Sequence, residues 1–288
     1  MLAISLALNG IVLGSVLLLF SLGLTLIYGV GRIVNFAHGA LFSIGAMLGV
    51  WLAGQGLPMW LTLIVTPVVV GLIGAMLDWA ILARIRDRPI VDSMLLTFGL
   101  ALFITGILYE MGGRHVQMMP IPHMLEGATT IFGFTLPVYR LFVSLLAVML
   151  AAGLFLFLKN SDWGLRVRAA NDDPEMGACL GINREMLMHS VVGVSAALAA
   201  ISGVAAAPIF MAYATVGDKI LILAFMTVIL GGLGSLRGAV VAAYVVGLII
   251  VFGEGYLGGQ MALMLLFVLV MAMLISWPRG FFGEGRTE

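Results

Sequence analysis

The apolar residues of this chain fall into runs that a soluble fold could not bury. Stretches near the length needed to cross a hydrocarbon core as a helix, about 17–25 residues, occupy approximately 6–29, 36–53, 60–83, 93–111, 137–158, 189–212, 220–235, 238–253 and 260–277. Nine are counted, the seventh and eighth of them short. Charged residues make up 10% of the chain and the mean hydropathy is +1.17, whereas about a quarter of a soluble domain is charged. The expectation is an all-α polytopic membrane protein, one transmembrane domain over 1–288 with about eight to nine transmembrane helices. The first basic residue is Arg32, so the N-terminal run lacks the positive flank of a cleaved secretory signal and is expected to be retained as a span.

Orientation follows from the basic residues. Placing Arg32, Arg84, Arg86, Arg88, Lys159, Arg166, Arg168, Arg184, Arg237, Arg279 and Arg286 on one side leaves Arg114, Arg140 and Lys219 on the other. Basic residues favour the cytoplasmic side, so the N-terminus is expected outside and the C-terminus inside. The loop 159–188 then faces the cytoplasm and the loop 112–136 faces outward.

Several kinds of chemistry have no support. Net charge is zero, which gives no argument for nucleic acid. Cys179 is the only cysteine, so there is no intrachain disulfide. His38, His115, His123 and His189 show no metal-ligand spacing. Lys159 and Lys219 are the only lysines and neither belongs to a GxxxxGK[ST] phosphate loop. With no nucleophile–base or carboxylate pair in place, the chain is not expected to be an enzyme. Asp78, Glu110 and Glu254 lie near span ends; none is central, as a carboxylate driving ion-coupled transport would be, so the energy source is expected in a partner.

Glycine, 37 residues in 288, is nearly twice its average usage of about 7%. Small residues four apart, at Gly10 and Gly14, Gly45 and Gly49, Ala196 and Ala200, and Ala199 and Gly203, allow helix backbones to approach closely in lipid. Pro67 and Pro208 fall inside spans, as packing devices or as hinges. Two Gly-punctuated breaks carry one arginine each: GVGRIVNFAHGALFSIGAML, 29–48, and TVILGGLGSLRGAVVAAYVV, 227–246. They are either ordinary turns between spans or half-helix ends lining a translocation path. On the second reading the path residues are Asn35, Phe36, His38, Gly39, Gly231, Gly232 and Ser235.

The one long polar stretch reads KNSDWGLRVRAANDDPEMGACLGINREM, 159–188. Within it Asp173 can cap a helix with Pro174 at its first position, Glu175 in its positive first turn and Gly181 at its end. At 1.5 Å per residue such a helix is roughly 10 Å long, too short to cross a bilayer. Met176, Cys179, Leu180 and Ile182 give it more apolar surface than a solvated connector requires. In the outward loop, MPIP forces an extended path and TTIFGFTL suggests a small hairpin around Gly133; His115, His123 and Glu126 there read as solvated.

YGVGRIVNFAHGALFSIGA, RVRAANDDPEMGACLGIN and ILGGLGSLRGA together resemble the signature stretches of permease subunits from ABC importers of branched-chain amino acids, the LivH type. The likeness runs in order over nearly the whole chain. It implies a permease of the bacterial inner membrane, built of two inverted repeats, that works with a second, LivM-like permease subunit, two cytoplasmic ATPase subunits and a periplasmic substrate-binding protein. It implies no cofactor in this chain, with ATP and magnesium in the ATPase partners. Asp173, Pro174, Glu175, Met176, Ala178, Leu180 and Gly181 would then form the coupling helix, although the EAA letters of that loop are absent. Urea and short-amide permeases share these signatures, and a self-sufficient carrier or channel using Asp78 or Glu254 is the more distant alternative.

Overall fold

A computed structural model describes residues 2–86, 88–131, 134–278 and 280–282. Helices α1 (Leu2–Gly31), α2 (Ala37–Gly54), α3 (Met59–Ala80) and α4 (Ile90–Leu108) come first, with a 3-10 turn at Leu82–Ile85 and a π turn at Tyr109–Gly113. A hairpin of β1 (Ala128–Ile131) and β2 (Phe134–Pro137) follows, pairing antiparallel with Ile131 opposite Phe134. That is the expected hairpin; Phe132 and Gly133 at its tip lie outside the described residues. The chain continues with α5 (Val138–Asn160), α6 (Asp162–Asp172), α7 (Pro174–Cys179), α8 (Arg184–Phe210), α9 (Val216–Gly231), α10 (Leu236–Leu257) and α11 (Gly259–Ser276).

Eight of the described helices are long and apolar enough to cross a membrane: α1, α2, α3, α4 with its π turn, α5, α8, α10 and α11. The protein is an all-α polytopic membrane protein. The expected seventh span, 220–235, is instead the 16-residue α9, about 24 Å long and short of a hydrocarbon core of about 30 Å. Its boundary moves because Gly232 (φ 100°) and Gly234 (φ 86°) turn the chain and Ser235 Oγ accepts from Gly238 N at 3.1 Å to begin α10.

α1 is the axis of the bundle. It is apolar on every side and buried along most of its length, as a helix without a polar face must be when it is surrounded by protein. Small residues let its neighbours close on it. A Cβ added at Gly10 would stand 2.9 Å from Leu248 of α10, and one added at Gly247 would stand 2.5 Å from Gly10 O. On α2, a Cβ at Gly45 would lie 2.5 Å from Ala200 Cα, and one at Gly49 would lie 3.0 Å from Val204. Each small-residue pair read from the sequence therefore marks a close helix crossing. Hydroxyls tie the same helices together: Ser202 Oγ donates to Val16 O at 2.9 Å, Ser195 Oγ to Gly23 O at 2.6 Å, and Tyr139 Oη to Ala205 O at 2.9 Å. Pro67 and Pro208 both sit inside helices, in α3 and α8.

Candidate functional site

Two regions carry the candidate residues: the breaks around the end of α1, and the polar segment α6–α7. After Gly31 the chain leaves the helix through Arg32, whose φ is 52°. Asn35 then restarts it: its Oδ1 accepts from Ala37 N at 3.0 Å and caps α2. His38, one residue further into α2, folds back onto α1; its Nε2 donates to Phe20 O at 3.1 Å, and its ring meets that of Phe20 edge-on at 4.5 Å. Its Nδ1 is buried with no hydrogen-bond partner among the described residues. Phe20 precedes the end of α1 by eleven residues, roughly 16 Å along the axis, so α2 begins inside the bundle.

A second helix also begins at that depth. Gly217, in the first turn of α9, donates its N–H to Ser43 Oγ at 3.0 Å, and a Cβ at Gly39 would stand 3.1 Å from Gly217 O. Phe36 lies between Phe225 of α9 and Phe98 of α4, at centroid distances of 5.1 and 6.1 Å. Asn35, His38 and Gly39 are buried, and Phe36 is half-buried. The structure gives the two breaks different surroundings. Gly231 and Gly232 are buried and Ser235 half-buried, and their turn packs on Gly238, on Gly29 through Gly234, and on Gly280. Phe281 N and Phe282 N donate to Leu230 O and Gly231 O at 2.9 and 3.1 Å, covering the end of α9. The helix start that faces the α2 break is thus Val216, preceded by the buried Ala212 and Ala214.

Thr97 of α4 was not signalled by sequence. It is fully buried, accepts from Phe36 N at 3.2 Å and lies 3.2 Å from Val34 O, holding the α1–α2 break against α4 across 61 residues of chain. Ser43 and Phe20 are likewise added to the region. A lone threonine or serine in an apolar run is not distinguishable by sequence from one that bonds to its own helix.

In the polar segment, Asp173 Oδ1 accepts from Glu175 N at 3.1 Å and Met176 N at 3.0 Å. Pro174 occupies the first position and Gly181 (φ 83°) follows the helix. Met176 is 56% and Leu180 74% exposed, and Glu175, Ala178 and Cys179 are exposed beside them. Gly177 is the buried position, turned toward Ile182 and Ala169–Ala170. α6 goes beyond the sequence expectation of a single short helix in this loop. Ser161 Oγ caps it by accepting from Gly164 N at 3.0 Å, and Trp163 Nε1 donates to Ser190 Oγ of α8 at 2.8 Å. The SDWG run was its local signal. At the opposite end of the bundle, His123 and Glu126 pair in the open at 3.1 Å, and Arg114 pairs with Glu110, also exposed.

A multi-helix membrane bundle with two helices starting in its interior, and a short capped helix at one end, is an architecture suited to a membrane permease. The chain belongs to the family described as branched-chain amino acid transport system / permease component, whose model matches residues 6–275. It is similar to the high-affinity branched-chain amino acid transport system permease protein LivH of Salmonella typhimurium, 25% identical over 97% of this chain and 95% of the relative. It is also similar to BraD of Pseudomonas aeruginosa, 26% identical over 97% and 95%. The probable LivH permease protein of Methanocaldococcus jannaschii is 27% identical over 96% and 91%. No solved structure matches the chain. Permeases of this family belong to transport systems with further subunits.

Proposed function

We propose that this chain is the transmembrane permease subunit of an ATP-binding-cassette importer, conducting branched-chain aliphatic amino acids inward across a bacterial cytoplasmic membrane. Its partners are a second permease subunit, two cytoplasmic ATPase subunits that hold the ATP and magnesium, and a periplasmic substrate-binding protein. The chain itself hydrolyses nothing. The observation that carries this reading is the match of the chain, nearly end to end, to permeases named for that substrate class.

The geometry supports the division of labour. α7 is short and rigidly capped, among the described residues its own chain buries it at Gly177, and its exposed Met176, Ala178 and Leu180 would make a contact surface for an ATPase. Exposed Arg84 and Arg88, between α3 and α4, and exposed Arg166, on α6, lie on the α7 side, where they would meet anionic headgroups of the cytoplasmic leaflet. Because Asn35, His38 and Gly39 are sealed between α1, α4 and α9, their role is to fix the interior starts of α2 and α9. The path itself runs where Phe36 and Ser235 reach the surface, between this chain and the second permease subunit.

The test is uptake by proteoliposomes carrying the whole complex, with leucine, glutamate and urea compared, for the wild type and for Ala178→Arg. Leucine should be taken up and urea should not. Ala178→Arg leaves every span untouched and should abolish substrate-stimulated ATP hydrolysis and uptake together. Urea uptake without leucine uptake would move the protein to the short-amide class, and normal coupling in Ala178→Arg would remove α7 from the ATPase contact.

A further inference from the structure

A buried charged cluster lies away from both regions. Asp78, in the last turn of α3, is fully buried; its Oδ2 accepts from the guanidinium of Arg86 and from His189 Nδ1 of α8, the latter at 2.6 Å. Arg86 follows the 3-10 turn after α3 and its side chain is 5% exposed. The cluster is incompletely satisfied: Asp78 Oδ1 and Arg86 Nε and Nη1 are buried with no hydrogen-bond partner among the described residues. Such a pair is a poor source of stability, since desolvating two charges offsets most of their attraction.

Its position gives it another use. His189 and Ser190 are consecutive on α8. His189 reaches α3, while Ser190 accepts the indole N–H of Trp163 from α6. Trp163 stacks on Phe157 of α5 at 5.4 Å, and the guanidinium of Arg168 in α6 donates to Leu158 O and Lys159 O at the end of α5. α6 meets α7 through Asp173, whose N–H donates to Ala169 O at 3.0 Å. The rest of the α3–α8 crossing is apolar contact between small residues. Gly71 and Gly193 face each other, with an added Cβ on either meeting the other's carbonyl at 3.0–3.1 Å, and Gly74 faces Ala196. Among the described residues, His189 to Asp78 is the only side-chain hydrogen bond across that crossing.

We infer that the Asp78–Arg86–His189 cluster is the latch that makes α3 move with α8 when the ATPase displaces α6 and α7, and that His189 is a positioning residue for coupling. This rests on the permease reading above. The load path is α7 to α6, Trp163 to Ser190, and His189 to Asp78, with Arg86 holding the carboxylate in place. Without the latch, α8 is tied to α3 only by apolar contact, and ATP is hydrolysed with little transport.

The experiment uses the whole complex in proteoliposomes and reads ATP hydrolysed per leucine imported. His189→Leu removes the donor while leaving Asp78 paired to Arg86, and should raise that ratio roughly tenfold or more, the effect of losing a hydrogen bond to a charged group. His189→Gln keeps a donor and should stay within about twofold of the wild type, since the bond it restores is the one removed by leucine. In a Cys179→Ser background, spin labels on the exposed Met76→Cys of α3 and Met186→Cys of α8 should hold one separation with and without a nucleotide analogue. In His189→Leu that separation should change with nucleotide. A wild-type ratio in His189→Leu, or a nucleotide-dependent separation when His189 is present, overturns the latch; the second measurement decides even where the leucine variant does not assemble. Ala178→Arg run alongside separates the two ideas. Uncoupling by His189→Leu alone keeps the latch and removes the α7 contact, and uncoupling by Ala178→Arg alone does the reverse.

Discussion

Replacing Gly45 with alanine tests whether close backbone approach, rather than general greasiness, holds this bundle together. The new Cβ would stand 2.5 Å from Ala200 Cα and 2.7 Å from Ala200 O. Carbon atoms pack best at about 3.5–4.0 Å, so α2 and α8 must part locally by roughly 1 Å or more. Backbone atoms on both sides leave no rotamer through which to yield. Overpacking of this kind costs about 1–3 kcal/mol, against which alanine gains about 1 kcal/mol in helix propensity. Gly99 of α4 is the control, because a Cβ there meets nothing within 4 Å and only the favourable propensity term remains. Purified protein in detergent, followed by thermal loss of the monodisperse peak, should rank Gly99→Ala at or above the wild type and Gly45→Ala below it. At about 2–4 °C per kcal/mol for a large chain, the two variants should differ by several degrees. Equal midpoints would mean that α2 and α8 do not approach as described, and the small-residue reading of the core would fall.

Thr97→Val should destabilise by about 1–3 kcal/mol through the stranded Phe36 N–H, and Thr97→Ser should recover most of it; the same thermal assay checks both. His38→Leu should cost more uptake than His38→Gln, since glutamine can still donate to Phe20 O; equal activities would remove that bond from consideration. Asp173→Ala should weaken α7 by about 1 kcal/mol and Asp173→Gly by only a few tenths, with stimulated ATP hydrolysis following the same order. With Cys179→Ser, a cysteine at exposed Arg166 should react with impermeant thiol reagents only in inside-out vesicles, and one at exposed His123 only from the outside; labelling on the opposite faces would invert the bundle.

What the sequence disclosed and what it withheld divide by range. α7 was legible residue by residue because Asp173, Pro174 and Gly181 act within one turn of themselves. The spans were legible from hydropathy, and the Gly and Ala pairs foretold close crossings, although nothing in Gly45 names Ala200 as its partner. The α9 boundary slipped because the apolar run continues past 231 while the turn is set by backbone angles at Gly232 and Gly234. For the same reason Gly232→Val is a poor probe of a pore: valine at a φ of 100° strains the turn wherever the path lies. Asp78 showed only as a carboxylate near a span end. Its tie to His189 spans 111 residues, and no local pattern encodes a contact at that distance.

The interior starts of α2 and α9 show why the polar letters of the NFAHG run are needed even if no substrate touches them. A helix that begins within a bundle exposes its first N–H groups where no water can satisfy them, and each would cost free energy if left alone. Asn35 takes the N–H of Ala37, Thr97 takes that of Phe36, and Ser43 takes that of Gly217 in α9. Glycine at 39 and 217 lets the two starts meet backbone to backbone, and His38 fastens the first turn of α2 to α1. The motif therefore solves a solvation problem that arises before any question of transport. It follows that Asn35→Ala should lower stability before it alters substrate preference: thermal midpoint should fall while the relative uptake of leucine over glutamate stays at the wild-type ratio. A changed preference at unchanged stability would put Asn35 in contact with substrate instead.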